Sequence, residues 1–249
     1  MIIDTHTHLD NQKFIDDIDE VIKRAKEVGV EKFIIPAADP SDLNRAIKLS
    51  EKYNNIYFAV GVHPVDIEKY DDKLLLDYIT HPKCVAVGEI GLDYHWVKDK
   101  DKQKKQIELF HRQINIAKEF NKPIIVHIRE ATADSYEIIK SHPEIRGVFH
   151  CFNAAHQLLD FSDRFYYGIG GVITFKNARK LVEVFPEIPK DKVIIETDSP
   201  YLTPHPYRGK RNEPYYTILV RDKIAELWDV SKEDVEEITT KNARRLFNI

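Results

Sequence analysis

The sequence has 249 residues, of which 43% are hydrophobic and 31% are charged, which excludes a disordered or fibrous chain and is compatible with one barrel or two small domains. Its formal net charge of -4 excludes a protein that coats nucleic acid through a general basic surface, so any anionic substrate must be held locally. No stretch approaches the roughly 20 uncharged apolar residues of a membrane span, and the N-terminus lacks the basic and apolar regions of a signal peptide, so we expect a cytoplasmic protein with no membrane contact.

Eight short apolar runs predict β-strands, and stretches with helical spacing separate them. The runs show no alternation of apolar and polar residues, which indicates strands buried on both faces, as in a parallel sheet. The helices supply the crossovers that parallel strands need. In chain order the predicted strands cover residues 2–4, 32–36, 56–60, 84–88, 123–126, 147–149, 165–169 and 192–195.

Two of the intervening stretches illustrate the helical pattern. Apolar residues recur at spacings of three and four from Ile107 to Phe120 and from Ile15 to Val28, and Gly29 lies where a C-terminal helix cap usually falls. Eight strand-helix units in about 250 residues match the usual size of a TIM barrel. We therefore predict an α/β fold, a single (β/α)8 TIM barrel that forms one domain over residues 1–249.

A doubly wound sheet is the structural alternative, because strand order cannot be read from one sequence. The glycine-rich phosphate loop of dinucleotide-binding and P-loop folds is absent from the chain. The segment 88–91 places the carboxylate Glu89 between its two glycines instead. The barrel is therefore the favoured fold.

Side chains of the types that bind metals follow most of the predicted strands. TIM-barrel active sites lie at the C-terminal ends of the strands, so polar residues that end an apolar run are the candidates. His6 and His8 are two residues apart and point to one side of an extended backbone, where they can share an ion. By contrast, His81 and His142 precede prolines just before strands, at the other end of the barrel, and are interpreted as structural.

Two carboxylates and two further histidines extend this pattern. Glu89 at the barrel mouth would be expensive to bury unless a cation neutralised it, and a salt bridge to a lysine is the alternative. His127 and His150 each close an apolar run, although either one alone would be read as a core histidine. Glu196 and Asp198 lie on the same side of the last strand, and we favour Asp198 as the ligand, with Glu196 able to orient one.

The ligand count indicates two ions. Four neutral imidazoles and two carboxylates are too many for one tetrahedral catalytic ion with an open position. With two divalent cations, about two positive charges stay uncompensated, which suits a bound hydroxide and an anionic substrate and favours phosphoester chemistry. The predicted metal ligands are His6, His8, Glu89, His127, His150 and Asp198.

The two cysteines, Cys84 and Cys151, fit a reducing compartment and are expected to be packed thiols. Because Cys151 follows His150 directly, alternation predicts that it faces the helical layer and is no ligand.

These residues resemble the TatD family of metal-dependent deoxyribonucleases, within the amidohydrolase-like barrels. The resemblance covers essentially the whole chain. It rests on residues 4–10 (DTHTHLD), 61–64 (GVHP), 88–94 (GEIGLDY), 127–131 (HIREA), 150–152 (HCF) and most specifically 196–214. One departure is Asn153-Ala154, where the family pattern has Ser-Gly.

The family pattern implies one cation bound by His6, His8, Glu89 and Asp198 and a second bound by Glu89, His127 and His150. Glu89 bridges the two in this scheme. The implied reaction is attack of a metal-activated water on the phosphorus of DNA, with Glu89 and Asp198 as catalytic carboxylates and Asp198 able to accept the proton of the water. The cofactors are two divalent cations, Zn, Mn or Mg, since imidazoles favour Zn or Mn while the family resemblance suggests that Mg supports activity.

We expect DNA, single-stranded or at its ends, as the substrate, and no obligatory protein partner. His63, Asp93 and Tyr94 are expected to line the pocket, and Tyr94, Trp96 and Tyr207 are candidates for stacking on bases, although aromatic residues at barrel mouths also simply pack. The expected contacts to flanking phosphates are Arg129, His205, Arg208, Lys210 and Arg211, with a solvated basic turn as the alternative for residues 208–211.

Two other functions remain open. The same site can serve a D-aminoacyl-tRNA deacylase or another ester or amide hydrolase, because fold does not fix substrate. A noncatalytic metal-binding protein is the second alternative, and the intact ligand set argues against it.

Overall fold

The computed structural model describes residues 1–249 and contains eight parallel strands in sequential order. Each strand pairs in parallel with the next. The seam between the first and last strands is joined by backbone hydrogen bonds from Thr5 N to Ile195 O (3.1 Å) and from Asp198 N to His6 O (2.9 Å). The predicted barrel is therefore confirmed, with strands β1 Ile2–Asp4, β2 Val30–Ile35, β3 Ile56–Val60, β4 Cys84–Asp93, β5 Ile124–Arg129, β6 Gly147–Phe149, β7 Phe165–Ile169 and β8 Val193–Ile195.

Two strands are longer than predicted. β4 continues past residue 88 to Asp93, and β5 continues past residue 126 to Arg129. The apolar runs end just before Glu89 and His127. The pairing of Gly91 with His127 nevertheless extends the hydrogen-bonded ladder between β4 and β5 through these polar residues. Glu89 and His127 therefore lie within strands, where backbone hydrogen bonds fix their positions.

Helices cover the outside of the barrel. They are α1 Ile18–Glu27, α2 Leu43–Lys52, α3 Asp72–Tyr78, α4 Lys100–Glu119, α5 Thr132–Lys140, α6 Arg179–Val184, α7 Thr217–Trp228 and α8 Lys232–Phe247. Gly29 follows α1 with φ of 89°, as its predicted role at a helix end requires. The expectation of an α-helix in every crossover was wrong between β6 and β7, where the loop after Phe149 leaves room only for the 3-10 helix His156–Phe161. No helix has both the length and the apolar character needed to cross a membrane.

The inside of the barrel is a small apolar cluster that is separate from the larger core between strands and helices. Ile3, Ile34, Ile125, Val148 and Ile194 belong to this inner cluster, and α8 closes it at the end where the strands begin. Side chains alternate along a strand, so the residue two positions later points inward as well. That rule places His127, His150 and Glu196 in the next inward layer, directly above the apolar one.

Candidate metal centre

The buried carboxylate of Glu89 lies at the middle of the predicted ligand set. Its Oε2 is 3.3 Å from His6 Nε2. Its Oε1 is 2.9 Å from His127 Nδ1 and 3.9 Å from His150 Nε2. The two oxygens of one carboxylate therefore face two different groups of imidazoles.

The carboxylate of Asp198 lies beside the same groups. Its Oδ1 is 3.1 Å from His8 Nε2, 3.8 Å from His6 Nε2 and 3.9 Å from His150 Nε2. The His6 and His150 rings stack with their centroids 3.4 Å apart. The structure thus brings the six predicted ligand side chains together from five strands or strand ends.

The histidines around Glu89 and Asp198 keep both of these carboxylates ionised. Burial on its own would raise the pKa of Glu89, but His63, His150 and His6 offset that effect and hold the pKa well below its usual range. Burial is likewise outweighed at Asp198, whose pKa is lowered by the hydrogen bond from His8. His127 lies between Glu89 and Asp93, and their hydrogen bonds raise its pKa against the effect of burial. The carboxylates therefore attract cations, either protons on the imidazoles or metal ions.

The residues present fit divalent cations. Both ring nitrogens of the fully buried His6 lack a hydrogen-bond partner, which is costly unless another ligand engages one of them. Candidate ligand atoms converge in three overlapping groups, which are His6, His8 and Glu89; His63, Glu89 and His127; and His6, His150 and Glu196, so His63 lies where the prediction had only Glu89, His127 and His150. Imidazole nitrogen and carboxylate oxygen together are the donors that Zn²⁺ and Mn²⁺ accept. His6, His8, Glu89 and Asp198 would hold one ion, and Glu89, His127 and His150 would hold the other.

Glu196 supports the centre from the barrel interior. Its Oε1 lies 3.0 Å from His150 Nδ1 and accepts a hydrogen bond from Cys151 N at 2.6 Å. This contact with His150 supports the predicted ability of Glu196 to orient a ligand. Asp4 anchors the adjacent turn, since it accepts hydrogen bonds from Thr197 N at 3.0 Å and Thr197 Oγ1 at 2.6 Å.

The alternation that predicts the orientation of Cys151 does not extend to that residue. β6 ends at Phe149, and Cys151 has a positive φ of 44°, so the alternation of a strand no longer applies to it. Burial and the nearby carboxylates of Asp198 and Glu196 raise the pKa of the thiol well above its usual range. Cys151 therefore stays a neutral thiol.

His63 and Asp93, which were expected to line the pocket, contact predicted metal ligands. His63 Nε2 is 3.5 Å from Glu89 Oε1, and the His63 ring meets that of His127 edge-on. Asp93 is 1% exposed and its Oδ2 is 3.0 Å from His127 Nε2, so its carboxylate contacts a predicted metal ligand. The reason is the length of β4, which keeps Asp93 paired inside the sheet next to β5.

The other expected substrate contacts differ in how free their side chains are. Tyr94 donates a hydrogen bond to Asp134 Oδ2 at 2.5 Å. The exposed Arg129 lies over the Trp96 ring, with 5.5 Å from Cζ to the ring centroid. His81 accepts a hydrogen bond from Lys83 N, consistent with the structural role predicted for that histidine.

The loop after β8 does not present all of its basic residues to solvent. Arg211 donates to both carboxylate oxygens of Asp17 and to Glu213 Oε1, so its guanidinium is already engaged by carboxylates. Arg208 lies over the Phe175 ring and donates to Thr203 O. His205, Arg208 and Lys210 are exposed and none of them pairs with a carboxylate, so all three stay candidates for contact with phosphate.

A substitution at Gly168 can test whether Glu196 orients His150. It lies on the inward side of β7, where a Cβ atom would overlap with Glu196 Oε2. Gly168→Ala is expected to displace Glu196 and to lower the affinity for the second cation by roughly 10- to 100-fold, because residues that orient a ligand contribute about that much. Titration calorimetry with Zn²⁺ or Mn²⁺ measures the effect.

Gly170→Ala is the matched control for this variant. A Cβ atom at Gly170 would meet Glu196 Cγ at 3.5 Å, an ordinary contact, so this protein should bind both ions like the wild type. Unchanged affinity in Gly168→Ala would contradict the role given to Glu196.

Comparison with known proteins agrees with this geometry. The profile of the family described as TatD related DNase matches residues 3–248. The chain is 45% identical to the uncharacterized metal-dependent hydrolase YabD of Bacillus subtilis (strain 168), with 100% of both chains covered. It is 36% identical to the uncharacterized metal-dependent hydrolase YcfH of Escherichia coli (strain K12), with 100% of this chain and 96% of the relative covered.

Solved structures of other proteins are also similar to this chain. The TatD homolog YJJV from Escherichia coli K12 superposes with a TM-score of 0.89 at 31% identity, covering 100% of this chain and 98% of that one. An amidohydrolase from Burkholderia multivorans with bound zinc has a TM-score of 0.69 at 12% identity, covering 100% of this chain and 99% of that one, and shares the fold.

Proposed function

Because this chain belongs to the family of TatD related DNases and is a metal-dependent hydrolase, we propose that it hydrolyses phosphodiester bonds of DNA with two divalent cations. The observation that carries the proposal is the position of Glu89, whose two oxygens face separate imidazole groups. A carboxylate in that position is suited to bridge two ions, and paired ions are a common device for phosphodiester cleavage.

The charge of the site supports an anionic substrate. Glu89 and Asp198 supply two negative charges, while the histidines bind metal as neutral imidazoles. Two divalent cations would therefore exceed the charge of their direct ligands by about two, and the buried carboxylates of Asp93 and Glu196, which contact His127 and His150, would offset part of that excess. A phosphodiester places a negatively charged oxygen against the cations, which a neutral ester or amide does not.

The residues of the chain supply positioning and a proton acceptor. When bound, the cations would lower the pKa of a water molecule and stabilise charge on the phosphate. Asp198 is ionised and its Oδ1 faces His6, His8 and His150, so it is placed to accept a proton from the attacking water. Glu89 holds the two imidazole groups at a fixed separation. Imidazole ligands favour Zn²⁺ or Mn²⁺ over Mg²⁺ as the resident ions.

A substrate panel tests the proposal. Protein loaded with Zn²⁺, Mn²⁺ or Mg²⁺ is incubated with single-stranded DNA, duplex DNA, RNA, a D-aminoacyl-tRNA and a simple ester. We expect release of nucleotides from DNA that stops on chelation and resumes when metal is restored. Turnover of the carbonyl substrates alone would overturn the proposal in favour of a deacylase or esterase. Metal binding without turnover of any of them would indicate a noncatalytic protein.

A further inference from the structure

The indole of Trp96 is unusually exposed at the barrel mouth. At 67% it is the most exposed large hydrophobic side chain of the structure, while the other tryptophan, Trp228, is buried. Its backbone N–H donates to Asp93 Oδ1 at 2.8 Å, and Asp93 Oδ2 in turn lies 3.0 Å from His127 Nε2. One buried carboxylate therefore fixes both a predicted metal ligand and the backbone that carries the indole.

Arg129 lies next to this indole and makes no ion pair. It is two residues beyond His127 in β5, so both side chains point to the same face and their backbones are about 6.6 Å apart along the strand. The nearby carboxylate of Glu130 is already engaged by His95 at 2.6 Å and by Lys98 at 3.1 Å. The guanidinium of Arg129 is thus an available cation, about 6 to 7 Å beyond the metal centre along the strand.

We propose that Trp96 and Arg129 form a subsite for the nucleotide next to the scissile phosphate, in which the indole stacks on an unpaired base and Arg129 contacts the adjoining phosphate. This inference rests on the proposed function and deepens it. An exposed planar ring stacks on any base with little regard to its identity. A paired base inside a duplex has both faces covered, so the subsite selects single-stranded DNA or frayed ends over intact duplex.

The fluorescence of Trp96 provides a direct test. The probe is a single-stranded oligothymidylate with phosphorothioate linkages, added to the metal-loaded protein. Stacking on Trp96 is expected to quench the emission, and the buried Trp228 gives a constant background. Trp96→Ala lacks the reporter, so its binding is followed by fluorescence anisotropy of the same oligonucleotide carrying a terminal dye, and its Kd is expected to be about tenfold or more above that of the wild type, within the range measured for single stacking contacts. Trp96→Phe keeps a stacking ring and should stay within about threefold of the wild type.

Two controls separate stacking from other effects. An abasic oligonucleotide with the same backbone should bind the wild type and Trp96→Ala equally weakly. Leu76→Ala, which removes another exposed apolar side chain on the outer helix α3, should leave the Kd of the oligothymidylate unchanged. Equal affinity of wild type and Trp96→Ala for the oligothymidylate would overturn the subsite, and so would an equal loss of affinity in Leu76→Ala.

Arg129→Gln tests the phosphate contact by a different measurement. Loss of one contact to single-stranded DNA should weaken binding and reduce the slope of log K against log salt by about 0.7. An unchanged slope would remove Arg129 from the subsite.

The outcomes for the subsite and for the proposed function are distinguishable. If the wild type cleaves natural DNA but Trp96→Ala binds the probe normally, the subsite is wrong and the function stands. If the probe quenches Trp96 but no DNA is cleaved with any of the metals, the subsite stands and the nuclease proposal fails.

Discussion

Replacing Glu89 with glutamine is expected to lower the rate of DNA hydrolysis by roughly a thousandfold or more while leaving the barrel folded. In the proposed mechanism the cations would stabilise the transition state by several kcal/mol, and each loss of about 1.4 kcal/mol costs a factor of ten in rate. Glutamine keeps the shape of Glu89 but loses its charge and replaces one ligand oxygen by an amide nitrogen. That nitrogen cannot bind a cation, so one of the two imidazole groups loses its link to the other.

Three measurements accompany the rate in the Glu89→Gln protein. Elemental analysis should find fewer than two ions per chain, far-UV circular dichroism should match the wild type, and titration calorimetry should detect weaker binding at one site. Glu130→Gln removes an exposed carboxylate near the same mouth and serves as the charge-matched control, with activity close to wild type. Wild-type turnover by Glu89→Gln with two bound ions would refute the role assigned to Glu89.

The barrel and its ligands are largely predictable because they depend on local patterns. Apolar runs with polar side chains at their ends mark each strand and its functional end, and the inward positions repeat every two residues. His127, His150 and Glu196 follow inner-core residues by two positions, so alternation alone places them together. Glu89, His6 and His8 do not follow this rule, since the register between β4 and β5 shifts between Val87 and Ile90, and the two histidines share the parity of Ile2, which packs in the outer core.

The substrate contacts are less predictable because they depend on pairs that are distant in the chain. Arg211 is engaged by Asp17, 194 residues away, which no local pattern reveals. The burial of Asp93 is also difficult to predict, because it depends on how far β4 continues beside β5.

The loop after β6 was unpredictable for a different reason. Ala154 adopts a positive φ of 59°, a conformation that favours glycine, and glycine is what the family pattern has there. Ala154 therefore holds a backbone conformation that the glycine of the family pattern would adopt more readily.

Removal of metal is expected to abolish hydrolysis and to lower the melting temperature by about 5–10 °C for each ion lost. An ion that binds only the folded chain stabilises it by about 2.7 kcal/mol at one hundred times its Kd. For a domain of this size, each 1 kcal/mol changes the melting temperature by about 2–4 °C. Differential scanning calorimetry of chelated and metal-restored protein measures the difference, and Glu89→Gln should show a smaller one.

The stabilisation by metal should also grow as pH rises, because protons and metal ions compete for the same imidazoles. In the metal-free protein burial lowers the pKa of His150, but Glu196 and Glu89 outweigh it and raise that pKa to about 10. Protonated His150 therefore stabilises the metal-free fold fully below its unfolded pKa of about 6.5, and this contribution is lost as pH rises through about 10. A metal ion binds only the neutral ring, so its affinity is lower at pH 6 than at pH 8. If calorimetry finds the same metal-dependent shift at both pH values, His150 is not a ligand that exchanges a proton for a cation.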